Sequence, residues 1–256
     1  METTVKHTIT SGNLIDAAIT IEHLYKSFGN NKVLDDFNLM IAKEENVVIL
    51  GKSGSGKSVL IKCIIGLLEP DSGNIFISGS NVVGLGHEDL DKMRSKIGFL
   101  FQSNAIYDSM TVRENLEFPL RRRWFKLSQA EIDRMVHEAL ENVHLAHTLN
   151  MMPEELSGGM LKRVALARTM ILKPEIILYD EPTSGLDPVT AREIEDLILE
   201  LRKKYHTTSI IISHDMNCVK RTADRVILLL KGKCYAQGTY NEFKESTDTN
   251  IKQFFE

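Results

Sequence analysis

Gly51-Lys52-Ser53-Gly54-Ser55-Gly56-Lys57-Ser58 has the residue types and spacing to cradle a chain of phosphates. The stretch fits G-x-x-x-x-G-K-[ST] at every fixed position and follows the apolar run Val47-Val48-Ile49-Leu50. Glycines let the backbone curl until successive N–H groups point inward, Lys57 reaches the β and γ phosphates, and Ser58 offers a hydroxyl to Mg²⁺. A helix then starts on the anion. An ordinary Gly/Ser turn between strand and helix does not account for the coincidence of strand, loop, Lys-Ser pair and helix pattern.

Two more features join it. Asp180 and Glu181 follow the apolar Ile176-Ile177-Leu178-Tyr179, so two carboxylates stand at the carboxyl end of a core strand. Magnesium takes hard oxygen ligands and keeps several waters, which suits Asp180 to hold the ion through water while Ser58 binds it directly. Glu181 is left to act on the attacking water. Without the upstream loop, the same carboxylates would read as the end of a strand and the cap of a turn. Leu156-Ser157-Gly158-Gly159-Met160 opens a helix that continues through Val164, Leu166 and Ala167. Its Gly-flanked N-terminus is a second anion site; alone, such a turn means only an N-cap.

The elements that position these residues follow from patterning. Residues 18–41 alternate apolar and polar around a break at Gly29-Asn30-Asn31, as two antiparallel strands. A helix after Lys57 ends at Gly66, and Ile75, Ile77, Ile97, Phe99 and Phe101 mark further strands up to about Gln102. Residues 103–174 read as helices with capping boxes at Thr111–Glu114 and Ser128–Glu131. The chain returns to the sheet at Ile176, caps a helix at Asp187-Pro188, adds buried strands at 209–212 and 226–230, and ends in an amphipathic tail. The expected division is a flexible segment over 1–17, a catalytic core over 18–102 and 175–239, a helical subdomain over 103–174 and a C-terminal helix over 240–256.

Composition narrows the class. The 31 basic and 35 acidic residues of the 256 give a formal charge of -4, so no global positive field advertises nucleic-acid binding. Cys63, Cys218 and Cys234 lack zinc spacing and form no disulfide framework, which fits a reducing compartment. No apolar run approaches the ~20 residues of a membrane span.

Taken in order, Gly51 to Ser58, Gln102, Leu156 to Met160, the strand ending in Asp180 and Glu181, Ser184-Gly185-Leu186-Asp187 and Ser213-His214-Asp215 resemble the motif set of ABC-type ATPases across nearly the whole chain. The resemblance implies an α/β P-loop NTPase fold with a mixed β core, an antiparallel β subdomain and an inserted α-helical subdomain. It implies that Phe28 stacks on adenine, that residues 51–58 and Val59 hold ATP, and that Ser58, Gln102 and Asp180 surround Mg²⁺. Lys57, Gln102, Glu181 and His214 would be catalytic, Gln102 sensing a partner and His214 contacting the γ-phosphate. It implies also a head-to-tail homodimer, in which Ser157, Gly158 and Gly159 serve the opposite chain's nucleotide and Asp187 links the two sites. Apart from that order, Phe28 reads as core, His214 as a hydrogen-bonded strand end and Gln102 as solvent-facing.

The text from Phe101 to Asn115, from Met151 to Glu155 and from Gly159 to Arg163, with Met160 in place of the more usual glutamine, is similar to the ATPase subunit of Mla-type (maintenance of lipid asymmetry) phospholipid transporters. That resemblance implies a cytoplasmic subunit, peripheral on the inner membrane, with an integral permease docking after Gln102, a small regulatory subunit, a periplasmic lipid-binding protein and no nucleic acid. Arg121-Arg122-Arg123-Trp124 is more basic than the resemblance predicts, and reads as a solvated helix end or as an acidic-lipid or partner contact. Alternatives are a transporter ATPase for another substrate, an ATP-dependent clamp for DNA repair or ribosomes, and a small-molecule P-loop kinase. The chain shows neither the coiled-coil insertion nor the fused second cassette of the clamps, and a kinase has no use for the long insert or the signature helix.

Overall fold

The computed structural model describes residues 17–121 and 126–255; the expected N-terminal segment, apart from Ala17, and Arg122 to Trp124 lie outside the described residues. In chain order the strands are β1 (Ala17–Phe28), β2 (Asn31–Ala42), β3 (Asn46–Leu50), β4 (Ser72–Ile77), β5 (Ser80–Asn81), β6 (Ile97–Leu100), β7 (Ile176–Asp180), β8 (Thr208–Ile212), β9 (Arg225–Leu230) and β10 (Lys233–Gly238). The helices are α1 (Lys57–Ile64), α2 (His87–Ser95), α3 (Val112–Glu117), α4 (Gln129–Glu141), α5 (Gly158–Met170), α6 (Pro188–Tyr205), α7 (Met216–Thr222), α8 (Tyr240–Glu245) and α9 (Thr249–Lys252).

Two sheets result. An antiparallel one runs β2-β1-β4-β5, and a central one runs β10-β9-β3-β8-β7-β6, parallel except for the edge strand β10. Strands covered on both faces read as continuous apolar runs, and β3 and β8 are buried at every residue. Period-two geometry still sorts their side chains. Val47 and Ile49 pack with α1 and the antiparallel sheet, whereas Val48 and Leu50 pack with α5, α6 and α7. Each such side chain contributes roughly 1.5–3 kcal/mol of apolar burial.

The inserted helices have their own core. Val136, Ala139, Leu140 and Val143 bury against Val112, Leu116, Val164 and Ala167, and Ile132 and Met135 pack at its margin. Both expected capping boxes are formed, Thr111 with Glu114 and Ser128 with Glu131. Gly66, at φ 67°, turns the chain after α1.

Three segments differ from the sequence reading. The tail is two short helices, because Ser246 is extended and Asp248 caps α9 by accepting from the Asn250 N–H at 2.7 Å. Phe243 and Ile251 still bury on one side of it. Phe101 lies beyond the end of β6 and is 38% exposed. The short polar strand β10 carries no alternation from which to read it. The three cysteines are unpaired, and burial pushes each thiol up to about 11, leaving them as inert thiols at neutral pH.

Candidate nucleotide-binding site

The loop after β3 is shaped by its glycines. Gly56 adopts φ 106°, and a Cβ there would lie 2.9 Å from both Cγ1 and the carbonyl oxygen of Val33 on β2. A Cβ at Gly51 would fall 2.5 Å from Ser55 Oγ and 2.8 Å from the Leu229 carbonyl. Gly56→Ala therefore combines a left-handed backbone with a backbone clash, and should cost about 1–3 kcal/mol. Urea unfolding checks this, and an unchanged midpoint would show that the loop relaxes freely.

Within the loop, Lys57 Nζ donates to the Gly51 carbonyl at 2.7 Å and the Lys52 carbonyl at 3.1 Å. Burial holds its pKa below the ordinary lysine value, while the Glu181 and Asp180 carboxylates pull the other way. Ser55 Oγ is buried with no hydrogen-bond partner. A glycine cradle that a Cβ would fill, a half-buried ammonium on backbone carbonyls and an orphaned hydroxyl together fit a polyanion.

The sheet register assembles the remaining groups. Ile212 on β8 pairs with Ile49 on β3 and with Asp180 on β7, and Leu100 on β6 pairs with Tyr179. The carboxyl ends of β3, β8, β7 and β6 thus form a row presenting in turn the glycine loop, His214, the two carboxylates and Gln102. Burial, then the neighbouring Glu181 carboxylate, raises the Asp180 pKa, a cost that a cation at this position would relieve. Among the described residues no cluster of three or more His, Cys, Asp or Glu side chains could hold a metal. A hydroxyl, one carboxylate and phosphate oxygens with water is the donor set magnesium takes, and Ser58 and Asp180 can supply the protein's share.

Glu181 is strained and braced. Its φ is 52°, in the left-handed region, with its N–H donating to the Ile212 carbonyl at 3.0 Å and its carbonyl accepting from the Ser184 N–H at 3.2 Å. Its carboxylate lies 2.7 Å from His214 Nδ1. The imidazole side chain is 71% exposed and the carboxylate side chain 14%, so the pair faces outward from a sheltered acid.

The helix start at Ser157, expected from the sequence to be a second anion site, shares no hydrogen bond with the glycine loop. Ser157 caps α5, its Oγ accepting from the Met160 N–H at 3.3 Å, and a Cβ on Gly158 would meet open space. A Cβ on Gly159 would come within 2.6 Å of Thr190 Cγ2 at the start of α6, and Arg163 pairs with Glu193 at 2.5 Å. Asp187 caps α6, accepting from the N–H groups of Val189 and Thr190 and from the Thr190 hydroxyl at 2.5 Å. That hydroxyl first, then the backbone N–H groups, lowers its pKa. Ser157 and Asp187 thus sit on two fastened helix starts, and no hydrogen bond joins them to residues 51–58.

Phe28 ends β1 with half its surface exposed, and Val33 of the same hairpin abuts Gly56. Gln102 is exposed, and its carbonyl accepts from Lys162 Nζ at 3.0 Å. Lys162 and Arg168 on α5 are both bonded to the loop after β6, a contact that the sequence does not disclose, since a cation on a helix reads as solvated.

A family model described as "ABC transporter" matches residues 34–184. The chain is 39% identical to Protein TRIGALACTOSYLDIACYLGLYCEROL 3, chloroplastic, of Arabidopsis thaliana, over 93% of this chain and 73% of that one. It is 38% identical to the probable ribonucleotide transport ATP-binding protein mkl of Mycobacterium leprae, over 93% and 68%. It is 36% identical to the intermembrane phospholipid transport system ATP-binding protein MlaF of Haemophilus influenzae, over 92% and 89%. The ATP-binding cassette MJ0796, solved as a dimer in a post-hydrolysis state with ADP and Pi, superposes with a TM-score of 0.78 at 33% identity, covering 87% of this chain and 98% of that one. A family match over more than half of the residues, on a fold shared with a solved cassette, means that this chain belongs to the ABC transporter family, as one of its ATP-binding, ATP-hydrolysing cassettes.

Proposed function

We propose that the chain powers an inner-membrane permease that moves phospholipid between inner and outer membranes, and that it works as a head-to-tail pair. The observation that carries the catalytic part is the Glu181–His214 contact of 2.7 Å, His214 following β8, the neighbour of β3 whose loop holds Lys57, and Glu181 following β7, the next strand. In this reading Lys57 and the amides of residues 51–59 bind the phosphates, Phe28 stacks on adenine, and Ser58, Asp180 and Gln102 surround Mg²⁺. Bound Mg²⁺ supplies charge neutralisation on the phosphates. Glu181 polarises the attacking water, and His214 turns its exposed ring to the γ-phosphate. Lys57 and the Ser157 helix of a second copy stabilise charge on the transferred phosphoryl group.

The exposed, outward-facing Ser157 and Gly158 support the dimer, since neither bonds to its own phosphate loop; MJ0796 was itself solved as one. A groove of about 440 Å³ beside Gln102 supports the permease contact: Leu67, Phe101, Tyr107 and Phe118 are exposed along it, with Arg94 and Arg168 among its walls. No described helix is long and apolar enough to cross a membrane, so the cytoplasmic-face attachment proposed here rests on that groove. A small regulatory subunit and a periplasmic lipid-binding protein complete the proposed system.

The phospholipid cargo is supported by the resemblance to MlaF, which extends over 89% of that protein. The mkl relative is named for ribonucleotide transport instead, which makes cargo the quantity to measure. With its permease in liposomes, the chain should drive ATP-dependent movement of a fluorescent phospholipid, and its hydrolysis rate per chain should climb with protein concentration. Movement of ribonucleotides without lipid would replace the cargo, and a concentration-independent rate would contradict the dimer.

A further inference from the structure

The loop that carries Gln102 is strained, although two backbone bonds close within it, from the Asn104 N–H to the Phe101 carbonyl at 3.1 Å and from the Ala105 N–H to the Ser103 carbonyl at 2.7 Å. Asn104 and Ala105 are consecutive non-glycine residues in the left-handed region, at φ 63° and 52°, and Asn104 Oδ1 is buried with no hydrogen-bond partner. Such conformations persist only where the surroundings over-determine them. Asn115 of α3 fastens the far end of the loop at Tyr107, and α5 supplies the side chains that hold Gln102 and Asn104. From α5, Lys162 Nζ donates to the Gln102 carbonyl at 3.0 Å and Arg168 Nη2 to the Asn104 carbonyl at 3.0 Å, while the Thr169 hydroxyl, which donates to the Ala165 carbonyl at 2.8 Å, lies 3.4 Å from the Phe99 carbonyl. Residues 162 and 169 are two turns apart, so they share a face.

Lys162 is the costly member of this set. It is 2% exposed, and burial pulls its pKa down while the Asp180 carboxylate pulls it the other way; its hydrogen bond goes to a neutral carbonyl, not to that carboxylate. A buried charge is costly to desolvate, and one carbonyl with a carboxylate that is not hydrogen-bonded to it repays only part of that, so folding alone does not call for an ammonium here. Its role is therefore to be sought in what the Gln102 carbonyl positions. The same helix begins at Ser157, and Arg168 and Thr169 also line the groove beside Gln102.

We propose that Lys162 is a positioning residue for hydrolysis: by holding the Gln102 carbonyl on α5, it makes the helix that begins at Ser157 and the loop that carries Gln102 move as one body. The proposal rests on the reading of Gln102 as a group that contacts magnesium and the attacking water. A permease pressing on the groove would then move Gln102 in its own site and Ser157 toward the opposite nucleotide in a single displacement.

The test is a cycle of Lys162→Met, Gln102→Ala and the double variant of the full chain, with Lys162→Arg as the conservative control. Lys162→Met should lower kcat about tenfold or more while KM for ATP stays within about twofold, since a misplaced group loses transition-state contacts rather than ground-state binding. Lys162→Arg should recover most of the loss, and amide exchange at residues 103–105 should quicken in Lys162→Met alone. The double variant should be no slower than the slower single one. Normal kcat in Lys162→Met beside a slow Gln102→Ala overturns the proposal and leaves the reading of Gln102 standing, as do fully additive losses. Normal kcat in Gln102→Ala overturns that reading, and the proposal falls with it. Should Lys162→Met unfold, Lys162→Gln, which keeps a donor but falls short of the carbonyl, must show the same kcat loss and exchange.

Discussion

Glu181→Gln should lower ATP turnover at least about 100-fold while leaving the ATP dissociation constant within about threefold, the loss expected when a positioned general base is removed. The substitution changes a charge and little else. Gln fits the same left-handed backbone, its N–H still meets the Ile212 carbonyl, and its amide oxygen can still accept from His214. What goes is the acceptor that polarises water. In the proposed site this carboxylate would face the phosphates, so its removal would also remove a repulsion, and ATP should hold two copies together for longer. Phosphate release, nucleotide titration and size-exclusion chromatography with ATP measure the three effects separately. Turnover near that of the parent chain would sink the assignment of Glu181, and lost binding would show that it serves the nucleotide's affinity instead.

How far the site was legible depends on how local its determinants are. The glycine loop could be read because its strand, its curl and its helix start are contiguous, and the structure puts Gly51 to Ser58 between β3 and α1 as the pattern predicts. Asp187 was equally legible, as an N-cap with proline after it. Glu181 and His214 are far apart in sequence and touch only because β7 and β8 are neighbours with Asp180 opposite Ile212, a register that no local pattern records. Their order among the other motifs pointed to them; their 2.7 Å contact is new. Lys162 entered only as part of the text from Gly159 to Arg163 and Arg168 not at all, because a buried cation on a backbone carbonyl has the same local sequence as a solvated one. Phe101 extended the alternation of Ile97 and Phe99, yet it faces the groove rather than the core, since pairing with β7 ends at Leu100. The same limit explains the tail, where Ser246, the C-cap of α8, and Asp248, the N-cap of α9, divide what the sequence reads as one amphipathic segment.

Lys57→Met separates binding from turnover in the opposite sense. The ammonium is half-buried and bonded to the Gly51 and Lys52 carbonyls, poised at the mouth of a loop whose Ser55 hydroxyl lacks a partner. A hydrogen bond to a charged group is worth about 1.5–3 kcal/mol net, so its loss should raise the ATP dissociation constant about 10- to 100-fold. The fold itself should hardly notice. Two carbonyls lose a donor, but the loop no longer has to bury an ammonium, and the methionine stem keeps the packing. ATP at about 100 times its dissociation constant stabilises the parent chain by about 2.7 kcal/mol, whereas at the same concentration a 100-fold weaker site gains only about 0.4 kcal/mol. Thermal melting with and without ATP therefore reads the change directly: matching midpoints for the two chains alone, and an ATP-induced rise clearly smaller in Lys57→Met than in the parent. A full ATP-induced rise in Lys57→Met would move phosphate recognition onto the loop amides and leave Lys57 with a task confined to the transferred phosphoryl group.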